Sequence, residues 1–170
     1  MPPLDQRPLE RADVRIVEEC GPSMLLGDGV LVTGHVERDT DFETGLQRAR
    51  ADGGWEPDPW TWDDQGVVCH VTGRGLVVVS SCSHAGVINM LRNAARVTGM
   101  PKVHGFVGGL HLTGGLFEPI IPRTVELLAG FVPDVVVPGH CTGWRATHAI
   151  ARRLHGKYVQ TSVGTTVRFG

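Results

Sequence analysis

Gly75–Gly86, GLVVVSSCSHAG, is the stretch whose reading decides the fold. Leu76 to Ser80 form an apolar, β-branched run with no alternating polar face, which predicts a buried strand. The run breaks at Ser81-Cys82-Ser83-His84, and Val87, Ile88, Leu91, Ala94 and Ala95 then recur at helical spacing. The loop at the carboxyl end of a buried strand, just before a helix, is where α/β sheets place their chemistry. His84 stands in such a loop. Asp134–Gly143, DVVVPGHCTG, repeats the arrangement, with a short Val run that ends in His140 and an amphipathic stretch beyond it.

Working outward, the segments between and after these two units continue the β–α pattern. A helix is predicted over 85–98, closed by Gly99 with Pro101 beyond it. Lys102 to Val107 predicts a strand that runs into Gly108-Gly109-Leu110-His111. Pro122 to Phe131 predicts a short helix with proline near its first turn. Val135 to Val137 predicts a strand, Gly143 to Leu154 a helix, and Tyr158 to Phe169 a closing strand.

Toward the N-terminus the pattern is strand-rich. QGVVCHVT (65–72) and Leu76 to Ser80 are predicted to pair as a hairpin through Gly73-Arg74-Gly75. Met24-Leu25-Leu26 and Val30-Leu31-Val32 flank Gly27-Asp28-Gly29, a second hairpin signal. Asp13 to Cys20 predicts a further strand, and Met1 to Ala12, with three prolines, a loose arm. Glu37 to Asp64 differs in kind: it is charged, carries Gly53-Gly54 and Trp55, Trp60 and Trp62, and predicts a long excursion with little regular structure. The tryptophans argue for order there, as a cap on the core edge, a lid or a partner surface.

Composition sets limits on function. The 170 residues are 41% hydrophobic and 20% charged, enough for one domain with its own core. A formal net charge of −2 gives no basis for binding nucleic acid or an anionic membrane. No apolar run approaches the ~20 residues that span a bilayer. The polar N-terminus lacks a signal-peptide core, so a cytoplasmic location is expected. Four cysteines, Cys20, Cys69, Cys82 and Cys141, show no CxxC spacing and are expected as thiols.

His84, His111 and His140 each follow an apolar strand, beside small residues that let a ligand approach. Neutral imidazole is a common ligand of zinc and other first-row ions, so a shared metal site is expected. His35, His70, His104, His148 and His155 lack this placement and are expected to be structural or solvated. Cys82 and Cys141 flank the candidate ligands; either thiolate could coordinate, although buried thiols more often pack as small hydrophobes. The helix starts at Ala85–Gly86 and Thr142–Gly143 are either ordinary N-caps or N–H groups offered to an anion; on the second reading a phosphate or carboxylate substrate is expected, bound at Thr142, an extra donor, and Gly143.

With these residues in view, the chain resembles the metallo-β-lactamase fold. It is most similar to the branch that contains the dihydropterin ribofuranosylaminobenzene-phosphate synthase-like proteins. The resemblance rests on TGHVERDTDFE (33–43), DDQGVV (63–68), GLVVVSSCSHAGVIN (75–89), GGLHL (108–112), PGHCTGWRA (138–146) and the closing SVGTTVRF (162–169). It implies an α/β fold, an αββα sandwich present here in part as a mixed β-sheet followed by β–α units. It implies His84 and His140 as ligands of zinc or another divalent first-row ion such as Mn or Fe, and His111 as a substrate contact or proton-transfer group. The family's His-x-His-x-Asp-His motif is absent from these 170 residues. Residues 1–170 are therefore expected as a single domain, truncated or the C-terminal portion of the fold, with weak or no hydrolase activity alone. A homo-oligomer or a complementing chain is expected to cover the missing half, and a small anionic molecule is the expected substrate. A non-catalytic binding or assembly module is the alternative.

Overall fold

In a computed structural model that describes residues 5–27, 29–49, 55–58 and 64–170, a six-stranded mixed sheet organises the chain. A short helix α1 (Arg7–Arg11) precedes β1 (Ser23–Leu25) and β2 (Val30–Val32), and β3 (Leu46–Ala49) pairs with β4 (Trp55–Asp58) as a separate ribbon. Then follow β5 (Gly66–Val71), β6 (Gly75–Ser80), α2 (Val87–Thr98), β7 (Val103–Gly108), a 3-10 turn (Glu118–Ile120), α3 (Ile121–Gly130), β8 (Val135–Pro138) and α4 (Trp144–Arg153). The main sheet has the order β1-β2-β5-β6-β7-β8. Its first half is antiparallel and built from hairpins; β6, β7 and β8 are parallel, because a helical connection returns the chain to the same end each time.

The register shows where the core sits. Val68, Val78, Phe106 and Val136 are cross-strand partners in one row, and all are buried. Against this face packs α2, which buries Val87, Ile88, Met90, Leu91 and Ala94 on one stripe, and α3 and α4 add Val125, Leu128, Ala146 and Ile150. Burial of each large side chain among these stabilises the fold by about 1.5–3 kcal/mol. The adjacent row, Val67, Val79, Val107 and Val137, belongs to the opposite face. It is buried at Val137 but emerges to 39% exposure at Val79 and 36% at Val67. The β6 run is thus buried on both faces except at Val79.

Other expectations are corrected. Asp13 to Cys20 forms no strand: Val14 and Val17 are exposed, and no described strand pairs with them. Tyr158 to Phe169 gives a single bridge, Tyr158 to Val136, and then an irregular tail. That tail crosses the sheet so that Phe169 packs over Gly105, where a side chain on residue 105 would collide with its ring. Part of the 37–64 excursion is regular, as the β3–β4 ribbon. Trp60, Trp62 and the side chain of Trp55 lie outside the described residues, as do Met1 to Leu4 and Asp28. Among the described residues, no helix is long and apolar enough to cross a membrane.

Candidate functional site

Parallel pairing builds the site. Ser80, Gly108 and Pro138, the last residues of β6, β7 and β8, are register partners, so the three following loops leave the sheet side by side. Backbone hydrogen bonds stitch the loops together: Gly109 N–H donates to Ser81 O at 2.9 Å, and Gly139 N–H to Gly108 O at 2.7 Å. The Ser83 hydroxyl donates to Gly109 O at 2.8 Å. His84, His111 and His140 are therefore carried to one edge, four, three and two residues beyond their strands.

Two of these positions are held in left-handed backbone. Ser83 has φ +57° and His111 φ +48°. Such conformations cost of order 1–3 kcal/mol at a non-glycine residue and cluster at functional sites. The His111 ring lies edge-on between His84, with centroids 4.6 Å apart, and Phe117 at 4.7 Å. Burial, together with the nearby imidazoles of His84 and His140, pushes the His111 pKa below its ordinary value. Its Nδ1 is buried and has no hydrogen-bond partner among the described residues.

His140 faces sulfur. Its Nε2 lies 3.0 Å from Cys82 Sγ. Cys141 Sγ accepts the His111 backbone N–H at 3.3 Å and lies 3.6 Å from Cys82 O. Burial, aided by the neighbouring Cys82, pushes the Cys141 thiol up to about 11. The two cysteines expected as packing residues are thus in polar contact with the candidate ligands. All cysteines are free thiols, as expected. A buried, partnerless imidazole nitrogen amid converging imidazoles and thiols suits a first-row divalent ion.

The space around the histidines is divided. His84 and His111 line a hollow of about 90 Å³ with Glu43, Leu110, Leu112 and Phe117. His140 lines a wider cleft of about 350 Å³ with Gly143, Trp144, Thr147, Tyr158 and Gln160. Trp144 is 74% exposed and rests against His148, with ring centroids 4.2 Å apart. Gly143, the N-cap of α4, opens to this cleft. Thr142 is fully buried, and its hydroxyl oxygen accepts the Leu110 N–H at 3.3 Å, tying the β7 loop to the β8 loop.

The start of α2 behaves differently from the sequence expectation. Ile88 and Asn89 donate their N–H groups to Glu43 Oε1 and Oε2, each at 2.9 Å, and Ala85 N–H donates to Asp64 Oδ2 at 2.6 Å. The helix start is capped, but by the chain's own carboxyl groups. Burial raises the pKa of both Glu43 and Asp64, opposed by these N–H bonds. Asn89 locks the loop in place: its Oδ1 accepts the N–H groups of Asp39 and Thr40, and its amide donates to Ala85 O. Sequence reasoning assigned no role to Glu43, Asp64 or Asn89, although all three lie inside the segments that carry the resemblance.

Three of the remaining histidines fall on regular elements. His70 and His104 lie in strands and His148 on α4. His104 is buried against Asp134, at 2.8 Å.

No family model matches the chain. It is 30% identical over 99 residues to the 7,8-dihydropterin-6-methyl-4-(beta-D-ribofuranosyl)-aminobenzene-5'-phosphate synthase of Methanocaldococcus jannaschii, a match covering 58% of this chain and 33% of that protein. An uncharacterized protein of the same organism is 29% identical over 139 residues, covering 81% and 48% respectively. The crystal structure of Tm1679, a metal-dependent hydrolase of the beta-lactamase superfamily, superposes with a TM-score of 0.74 and 26% identity, covering 92% of this chain and 59% of that one. The chain spans about a third to a half of the length of the curated relatives it matches.

Proposed function

From the premise that the chain carries a metallo-β-lactamase-like fold, we propose that it acts in a metal-dependent hydrolase that breaks an ester or phosphoester bond of a small anionic molecule. The observation that supports this reading is the partnerless, buried Nδ1 of His111 beside His84 at the edge where the β6, β7 and β8 loops meet. In it, His84 and His140 hold a divalent ion. Such an ion supplies Lewis acidity and makes hydroxide available near pH 7.

The chain's own residues do the rest. His111, gripped between His84 and Phe117, orients substrate or carries a proton at its ring. Phe117, Leu110 and Leu112 keep bulk water from that side. The cleft beside His140 receives the substrate's anionic group at Gly143, where the α4 N-terminus favours negative charge, with Thr142 holding that turn from beneath. A reducing, cytoplasmic setting suits the free thiols.

The experiment is metal content and hydrolysis of the purified chain, with His84→Ala and His140→Ala alongside. Near-stoichiometric metal in the parent, lost in both variants, is the expected result, with slow metal-dependent turnover of p-nitrophenyl ester or phosphodiester probes. A chain that holds no metal when supplied with zinc, manganese or iron would sink the reading.

A further inference from the structure

The histidines alone offer a sparse ligand set, and the two sulfurs beside them are in place to complete it. Cys82, His140 and Cys141 each present one ligand atom, and the three atoms lie within 4.8 Å of one another. Ligands at about 2.0–2.3 Å around a tetrahedral ion sit about 3.3–3.8 Å apart. Small side-chain rotations therefore bring these three onto one ion.

The backbone leaves room for them. Gly109 faces the sulfurs: a Cβ there would overlap Cys141 Sγ and press on Cys82 Cα and Ser81 O. The loops carrying Cys82 and Cys141 are bonded to each other through Gly109 and Gly139, so the main chain fixes the spacing of the two loops. The Cys141 sulfur is held further by the His111 N–H.

We propose that Cys82, His140 and Cys141 form a thiolate-containing coordination set that binds the divalent ion and selects zinc over manganese. This rests on the metal-centre reading above and names the chemistry of that centre. A Cys₂His set leaves a fourth position, which is where His84 of the reading above, or water or substrate, would bind. Thiolates favour zinc, whereas manganese prefers oxygen ligands.

Cobalt(II) reports the ligands directly, because a thiolate bound to it gives a near-ultraviolet charge-transfer band that imidazole does not. The apo full chain is titrated with cobalt, with Cys82→Ser, Cys141→Ser, the double variant, and Cys20→Ser and Cys69→Ser as controls. A band that saturates at one equivalent is expected, about halved in each single variant, absent in the double and unchanged in the controls. Zinc should displace the cobalt, and a large excess of manganese should not. Zinc X-ray absorption on the unmutated chain gives the same answer if the double variant does not fold, with two sulfurs expected at about 2.3 Å. Stoichiometric cobalt without the band, or zinc with no sulfur neighbour, overturns the thiolate set and leaves the hydrolase reading standing. No bound cobalt overturns both.

Discussion

The β6–α2 and β8–α4 units are written alike in sequence and built alike locally, yet their helix starts meet different fates. Both N-caps are glycines in backbone nearly closed to other residues, Gly86 at φ +100° and Gly143 at φ +78°. At α2, Glu43 and Asp64 arrive from 45 and 21 residues away and occupy the N–H groups. The first turn of α4, like that of α2, has no acidic residue of its own, and Gly143 opens on a cleft of about 350 Å³. One unit has spent its anion site on holding the fold together. The other leaves its helix start on the cleft beside His140.

The largest expected effect falls on the second unit. His140→Ala should weaken zinc binding beyond the roughly 10–100-fold that loss of an outer-sphere partner costs, read by competition with a chromogenic chelator. Glu43→Gln, at the first unit's helix start, should leave zinc affinity within about twofold; if it falls as far as in His140→Ala, the division of labour between the units is wrong.

Stability should show the reverse asymmetry. In Gly86→Ala the new Cβ overlaps the Glu43 carboxylate, so both the strained backbone and the loss of that cap weigh against folding, by about 2–4 kcal/mol. In Gly143→Ala the new Cβ presses on Thr113, at 2.8 Å from its Cβ and 3.1 Å from its Cα, and the change should cost about 1–2 kcal/mol. Urea midpoints rank the two, and equal midpoints would erase the distinction.

Glu43 sharpens the comparison through pH. Burial raises its pKa from 4.5, so the folded state binds this proton more tightly than the unfolded state does. Its contribution is complete below about 4.5 and fades as pH rises through the folded value. Glu43→Gln replaces one acceptor with a donor facing a backbone N–H and should cost about 1–2 kcal/mol at low pH. That cost should shrink toward neutral pH in urea titrations. A cost that grows with pH would mean the carboxylate is favoured as an ion.

The smallest effect concerns the sheet beneath both units. Val79→Thr, on the half-exposed row, should change stability by under about 0.5 kcal/mol, and Val78→Thr, its buried neighbour, by about 1–3 kcal/mol. Similar losses at both sites in thermal melts would show that something covers the Val79 face in solution.

Much of this was legible in the residues. The Val runs, Gly99 and the Gly73–Gly75 turn mark their elements because apolar periodicity and left-handed backbone are local properties. Asp13 to Cys20 and Tyr158 to Phe169 misled for a related reason. Alternating β-type residues describe a surface that fits a sheet, but a strand exists only when a neighbour accepts its hydrogen bonds, and pattern does not supply neighbours.

By itself the sequence determined the strand–loop–helix units, the sheet-and-helix class and the three histidines at strand ends. The tertiary structure alone decided what those loops face. Parallel register aligned Ser80, Gly108 and Pro138 and brought Cys82 within 3.0 Å of His140, while the loops before β3 and before the antiparallel β5 delivered Glu43 and Asp64 to the start of α2. Periodicity is set by neighbours in the chain, whereas this cluster is made by residues up to 59 positions apart, as Cys82 and Cys141 are, that only the packed sheet brings together.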